Sequence, residues 1–145
     1  KIYWTTFKIK LMPSGYSGTP LAKKLGLKQG HSIRLVNEPT YYLDLFTDLP
    51  EVSEAQMEDK EIDFIHLFAL DFDTLKKHFN ACKEQLAKNG ALWVSWPKKA
   101  AKISTDLDGN IVRNYGLENG LVDVKVCAVD ETWSGLKFMY RVKDR

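Results

Sequence analysis

The chain has 145 residues, 44% of them apolar and 28% charged, which is typical of one soluble globular domain with a substantial core. Its 21 basic and 19 acidic side chains leave a net charge of +2. This balance argues against nucleic acid as a partner, because nucleic-acid-binding domains show a strong basic excess. No apolar run approaches the roughly 20 residues of a membrane span, so no membrane partner is expected.

The N-terminal residues read apart from the rest. Residues 1–14 are interpreted as an arm or extension, since Met12 precedes a Pro-Ser-Gly turn and would make an alternative start. A single domain is predicted over residues 15–145. The two cysteines, Cys82 and Cys127, form no CxxC pair and no metal-type spacing. With no recognisable secretory leader, they favour a reducing, cytoplasmic location.

The first half of the domain predicts short elements. Thr19-Pro20 indicates a helix start with threonine as the N-cap, and that helix ends at Gly26. A strand follows around His31–Val36. Pro39 then begins a second helix over Thr40 to Phe46. Residues 51–60 are polar and predict a loop or a weak helix without a strand.

The middle of the chain gives stronger signals. The nearly continuous apolar run Ile62–Ala69 predicts a central parallel strand covered on both faces. Asp71 or Asp73 caps the next helix, which the basic turn and glycine of Lys88-Asn89-Gly90 end. Residues 91–96 form a second buried strand. A further helix is expected over about 106–117.

The last quarter changes to a period of two, which indicates antiparallel strands. Residues 122–128 and 136–142 alternate apolar and polar side chains, and the linker 130–135 makes the hairpin. Together the elements predict an α/β, Rossmann-like three-layer sandwich with a mostly parallel sheet, closed by this C-terminal antiparallel hairpin. An exposed edge at residues 121–129 would allow a homodimer, although Asp123 and Lys125 blunt it.

This pattern resembles class I S-adenosylmethionine-dependent methyltransferases over Glu61 to Val142. The shared features are a strand, a helix, a glycine-led strand, a helix and a closing hairpin, and residues 25–30 resemble the lead-in to the first methyltransferase strand. The chain resembles more closely a small bacterial domain family with no established activity. Four segments carry that resemblance: Gly15-Tyr16-Ser17-Gly18-Thr19-Pro20-Leu21, Trp96-Pro97-Lys98, residues 120–127, and residues 133–138.

The cofactor site that the methyltransferase resemblance implies does not carry over. No glycine occurs between Gly30 and Gly90, whereas a nucleoside cradle after the first strand needs glycines for tight bending and close approach. Asn37–Tyr42 offers a proline and two tyrosines instead, and we interpret Tyr41 and Tyr42 as filling the cofactor's space. The second strand, with its acidic residue for the ribose hydroxyls, should fall near residues 47–60, where none is predicted. We expect no cofactor.

The strongest candidate for a ligand cleft is the carboxyl edge of the sheet, where open α/β folds bind ligands. It should gather Asn37, Glu38, Asp71, Trp96, Lys98 and Lys99. The lysines could meet a small anion, helped by the helix start at Thr105/Asp106; the alternative is that Lys98–Lys102 is a solvated loop.

Other chemistry-bearing residues favour structural roles. Trp93, Trp96 and Trp133 could stack on a ring, but strand tryptophans more often fill a core. The three histidines form no metal set, and His66 reads as a satisfied core imidazole. Neither cysteine has an activating histidine nearby in sequence. We therefore expect no metal and no catalytic residue.

The sequence favours a non-catalytic binding or interaction module that lacks the S-adenosylmethionine site. The alternative is an enzyme or sensor for a small phosphate- or nucleotide-like anion at the carboxyl edge of the sheet.

Overall fold

The structure, a computed structural model, describes residues 19–145. In this part of the chain six strands form one sheet in the order β2-β1-β3-β4-β6-β5. The first four strands are parallel, whereas β6 runs antiparallel to β4 and to β5. The strands are β1 Ser32–Val36, β2 Ser53–Glu54, β3 Ile62–Phe68, β4 Leu86–Pro97, β5 Leu121–Ala128 and β6 Trp133–Tyr140. The α-helices are α1 Leu21–Leu25, α2 Phe72–Gln85 and α3 Gly109–Glu118, with single 3₁₀ turns at Tyr42–Leu45, Lys99–Ala101 and Val142–Asp144.

The predicted α/β fold with a closing antiparallel hairpin is confirmed. One apolar core lies between the sheet and the helices α2 and α3, and a second lies on the opposite face under α1 and the turn Tyr42–Leu45. Strand alternation puts Trp93 in the second core and Trp96 in the first, so the two rings cannot form one stacking platform. The predicted arm at residues 1–14 lies outside the described residues.

The central strand β3 forms as its apolar run predicts. Its side chains from Phe64 to Phe68 are all buried, because β1 and β4 flank it and both faces are covered. The following helix α2 has Asp71 as its N-cap, whose side chain accepts a hydrogen bond from the Thr74 backbone amide. Leu75 and Phe79 then bury the inner stripe of that helix.

Two predictions for the region after β1 were wrong. The helix predicted over 40–46 is only the 3₁₀ turn Tyr42–Leu45. The polar segment 51–60 contains the two-residue strand β2, because the Ser53 and Ala55 amides donate to the carbonyls of His31 and Ile33. Such a short edge strand is held by backbone pairing and needs no apolar pattern.

Two predicted helix ends also shift. Asp48 accepts hydrogen bonds from the Ala22 and Lys23 amides and so does the capping work expected of Thr19; Pro20 stands at the N-cap position. Helix α2 ends at Gln85 rather than near Gly90, since Leu86 turns extended and buries its side chain as the start of β4.

The hairpin leaves β5 at one edge of the sheet. Val124 and Val126 are exposed there, and the pairing with β6 shifts register between Asp123 and Lys125. A bulge of this kind twists an edge away from pairing, and the homodimer stays a prediction. None of the helices in residues 19–145 has the length and apolar character needed to cross a bilayer.

Gly116 permits the close packing of α3 on the hairpin. A Cβ at this position would overlap the buried ring of Phe138, which packs edge-on against Phe79. We expect Gly116→Ala to lower the free energy of unfolding by about 1–3 kcal/mol through overpacking. Gly109→Ala is the matched control, because its Cβ would lie at an ordinary 3.5 Å from Trp96. Urea denaturation measures both, and equal stability of the two variants would contradict this packing.

Candidate functional site

The carboxyl ends of three neighbouring parallel strands meet at one edge of the sheet. Strands β1, β3 and β4 are adjacent and end at Val36, Phe68 and Pro97. Trp96 lies near the end of β4, and the segments that follow these strands carry the other five residues of the predicted cleft: Asn37, Glu38, Asp71, Lys98 and Lys99. The structure therefore places these residues along the same edge, and their detailed geometry decides which of them share a cleft.

The turn after β1 is closed by side chains rather than opened by glycines. Asn37 takes the left-handed backbone conformation (φ 58°) that glycine would favour, and its amide nitrogen donates to the Phe68 carbonyl at 3.5 Å. The Tyr42 amide then donates to the Pro39 carbonyl at 3.0 Å. Because only a 3₁₀ turn follows, no α-helix N-terminus points its free amides at this edge after β1.

Tyr42 is buried beneath this turn and hydrogen-bonded inside the core. Its hydroxyl shares a 2.9 Å hydrogen bond with His66 Nδ1, and His66 Nε2 shares a 2.8 Å hydrogen bond with the Ser95 hydroxyl. The phenol ring packs edge-on against Phe46, His66 and Phe68. We call this chain of contacts the Tyr42–His66–Ser95 relay. It confirms the interpretation of His66 as a satisfied core imidazole.

Burial sets the protonation of the relay. The pKa of His66 falls from 6.5 to about 3, because burial penalises the charged imidazolium. Burial also raises the pKa of Tyr42 well above its usual value of 10.0, and the nearby charge of Glu38 adds to that rise. Both groups are therefore neutral at physiological pH, where neither supplies a charge for chemistry.

Tyr41 behaves differently from its neighbour. Its ring is exposed at the surface, and its hydroxyl accepts a hydrogen bond from Trp133 Nε1 at 3.2 Å. The pKa of Tyr41 is raised, first by partial burial and then by the nearby Asp130 carboxylate. Of the two tyrosines interpreted as filling the cofactor space, Tyr42 is the one that lies in the core.

One cleft of about 360 Å³ opens beside the relay. Strand β1 and the 3₁₀ turn supply its apolar walls, and Glu38 and Glu54 are its acidic lining residues. The lining residues are Ile33, Leu35, Glu38, Pro39, Thr40, Tyr42, Leu43 and Glu54. The prediction that no second strand lies near residues 47–60 is therefore wrong, because β2 exists and ends in the acidic residue Glu54. Its polar two-residue strand gave no sequence signal.

A second cleft, of about 570 Å³, lies between β4 and the start of α3. Three of the six predicted residues, Trp96, Lys98 and Lys99, line it. Asp106 and Asp108 line it too, and they offset the two lysine charges. We call it the Trp96 cleft.

The predicted helix start at Thr105/Asp106 is wrong. Helix α3 begins at Gly109, and the Asp108 side chain already accepts from the Ile111 amide. Asp106 accepts instead from the Phe72 amide. An anion in the Trp96 cleft would meet these carboxylates, and small-anion binding there stays a prediction.

The six predicted residues therefore divide. Glu38 lines the first cleft, whereas Trp96, Lys98 and Lys99 line the second, and the two clefts share no described lining residue. Asn37 and Asp71 line neither. Asp71 serves as the α2 cap, and hydrogen bonds from Thr74 lower the pKa of its exposed carboxyl.

The cysteines are poorly suited to nucleophilic chemistry. Burial raises the pKa of the Cys82 thiol to about 11, and it raises the pKa of Cys127 although three lysines oppose the shift. Within residues 19–145 no group of three metal-ligating side chains comes together.

Comparison with known proteins identifies the fold. No protein-family model and no curated protein sequence matches the chain. Among solved structures, an S-adenosylmethionine-dependent methyltransferase from Aquifex aeolicus is 16% identical with a TM-score of 0.56, over 83% of this chain and 88% of that one. A putative type 11 methyltransferase from Sulfolobus solfataricus is 13% identical with a TM-score of 0.56, over 84% and 90%. The DhpI–SAH complex is 9% identical with a TM-score of 0.59, over 85% and 83%.

These similarities confirm the methyltransferase-like Rossmann fold. At such low identities they show the fold and carry no activity to this chain. The closer resemblance to a small bacterial domain family stays a prediction.

The relay makes stability depend on pH in a defined direction. His66 binds a proton near pH 6.5 when unfolded but only near pH 3 when folded, so stability is complete above 6.5 and is lost as pH falls toward 3. Between pH 7.5 and pH 5.0 this single group should cost about 2 kcal/mol of unfolding free energy. We expect His66→Gln to lose that share of the decrease, as measured by urea denaturation at the two pH values.

His78→Gln, at a partly buried position of α2 away from the relay, is the control and should keep the wild-type decrease. His31, whose pKa burial also lowers, contributes equally to all three proteins. Equal decreases in wild type and His66→Gln would show that His66 is not held neutral in the core.

Proposed function

We propose that this chain is a non-catalytic binding or interaction module on a methyltransferase-like fold, whose donor-nucleoside site is filled by its own side chains. The single observation that carries the proposal is Tyr42. It is 2% exposed and hydrogen-bonded to His66 directly under the turn that follows β1. A ligand that needed this volume would have to expel the ring and leave His66 Nδ1 without its partner, at a cost of about 1–3 kcal/mol for the orphaned group alone.

The backbone around Tyr42 supports the same proposal. A phosphate- or nucleoside-binding turn offers free amides at the start of an α-helix. Here the Tyr42 and Asp44 amides are used by the Pro39 and Tyr41 carbonyls within the 3₁₀ turn. The backbone amides that would bind a cofactor thus donate to carbonyls within the turn, and Pro39 has no amide hydrogen.

One residue, at the end of β2, is of the type that a nucleoside site would need. Glu54 ends β2, the position at which the methyltransferase resemblance implies an acidic residue for the ribose hydroxyls. Its carboxylate stands at the first cleft together with Glu38. The acidic residue of an adenosine site is therefore present, whereas the glycine-rich turn is not. A direct measurement of S-adenosylmethionine binding decides between a filled and an open site.

We expect isothermal titration of the full chain with S-adenosylmethionine to show no saturable heat up to about 1 mM, which corresponds to less than about 4 kcal/mol of binding free energy. The reason is that Tyr42 and the 3₁₀ turn hold the space and the donors of the site. S-adenosylhomocysteine, titrated in parallel, tests the same pocket without the sulfonium charge.

Micromolar binding of either compound, weakened in Glu54→Gln, would contradict the proposal and place a nucleoside at the end of β2. The matched variant Glu51→Gln, three residues earlier and not among the residues lining the first cleft, separates a contact of Glu54 from a general loss of negative charge.

A further inference from the structure

Four lysines gather on the face of the hairpin that lies beside α1. Lys24 comes from α1, Lys28 from the turn that follows it, Lys125 from β5 and Lys137 from β6. Lys125 and Lys137 stand directly opposite each other in the β5–β6 ladder. We call these four residues the lysine cluster.

Short contacts fix the cluster against the C-terminus of α1. The Lys125 ammonium donates to the Lys24 carbonyl at 2.8 Å, and the Lys24 ammonium donates to the Ala128 carbonyl at 3.1 Å. Lys137 is half-buried, and its Nζ lies 3.6 Å from the position that a Cβ of Gly26 would take. The Lys125 and Lys137 side chains therefore meet at the turn that ends α1, whereas the Lys24 side chain reaches from α1 to the end of β5.

The charges in the cluster repel one another. The pKa of Lys137 is lowered by burial and further by the positive charges of Lys125 and Lys28. Like charges at this spacing cost free energy unless an anion lies between them.

No carboxylate among the described residues neutralises the cluster. Within residues 19–145, none of the four ammonium groups forms an ion pair with a carboxylate. Asp63, whose charge acts on His31 together with that of Lys28, accepts hydrogen bonds from the amide and hydroxyl of Ser32. The first eighteen residues of the sequence add three lysines and no aspartate or glutamate.

A purely structural role accounts for only part of this arrangement. Cations at a helix C-terminus are stabilised by the helix dipole, and Lys125 is placed for that role. But α1 has only five residues, and each ammonium carries three donors. The Nζ groups of Lys28 and Lys137 donate to no group among the described residues. Several donors and charges therefore remain for an external partner.

We propose that the lysine cluster binds a compact multivalent phosphate, of the diphosphate or triphosphate type. Such a group carries several negative charges on a small body, which suits the Lys125 and Lys137 ammonium groups at the end of α1 together with the added positive charge of Lys24 and Lys28. Lysine acts toward phosphate as a compact point charge with rotatable donors. The proposal does not depend on whether the first cleft binds a nucleoside, and the site is distinct from the Trp96 cleft, which contains its own carboxylates.

The test is a titration of the full chain with sodium tripolyphosphate at constant ionic strength, followed by calorimetry and by amide NMR. We expect saturable binding with shifts confined to residues around Gly26, Lys125 and Lys137. The double variant Lys125→Gln/Lys137→Met should weaken binding at least tenfold. Methionine preserves the apolar stem of the half-buried Lys137, and the single variant Lys125→Gln, at an exposed position, gives a second reading if the double variant folds poorly.

Control variants remove the same charge elsewhere. Lys77→Gln on α2 and Lys99→Gln in the Trp96 cleft should leave the affinity unchanged. No binding by wild type, or equal weakening in Lys77→Gln, would overturn the proposal, the latter because it would show a general charge effect. Weakening confined to Lys99→Gln would also overturn it, by moving the anion to the Trp96 cleft.

A single-stranded RNA of 20 nucleotides forms the last arm. If the phosphate proposal holds, tripolyphosphate competes with any RNA binding at the lysine cluster. Tight RNA binding that tripolyphosphate does not displace, with no saturable tripolyphosphate site, would overturn the proposal in favour of a nucleic-acid surface.

Discussion

The Tyr42–His66–Ser95 relay is the interaction that fixes the turn after β1 and, with it, the shape of the candidate ligand site. It joins the turn after β1 to the two central strands β3 and β4 through two buried hydrogen bonds of 2.9 and 2.8 Å. A buried imidazole or phenol without a partner is costly, whereas a fully satisfied network fixes a single arrangement. The relay thereby holds the Tyr42 ring in the core, where the ring occupies the space beneath the turn after β1.

The buried position of Tyr42 determines which clefts form at the carboxyl edge of the sheet. Two separate clefts lie there: the first cleft, which Glu38 and Glu54 line, and the Trp96 cleft. The first presents carboxylates and the second a mixture of both charges. The concentrated positive charge lies elsewhere, on the lysine cluster beside α1. The proposed phosphate site thus lies away from the sheet edge at which open α/β folds usually bind their ligands.

The sequence predicted the parts of the fold that apolar patterns define. The run through β3 and the alternation in β5 and β6 were sufficient for the layers and the closing hairpin, although β6 begins at Trp133, inside the segment predicted as the linker, and ends at Tyr140. Strand β2 escaped prediction because two polar residues are held by backbone pairing alone, and α2 ended early because burial of Leu86 outweighed the glycine signal at Gly90. The lysine cluster could not be predicted, since its members span residues 24–137 and meet only through the packing of α1 on the hairpin.

A carbon-13 NMR titration of the tyrosine ring carbons tests the central claim most directly, because it reports whether Tyr42 is in the core or in solvent. We expect the Tyr42 Cζ signal to stay unchanged through pH 10, the ordinary pKa of a phenol, for as long as the protein stays folded, with a hydroxyl proton that exchanges slowly and lies close to the His66 ring. A Tyr42 signal that titrates with a midpoint near pH 10 in the folded protein, with no contact to His66, would contradict the account and leave the space after β1 open to a ligand.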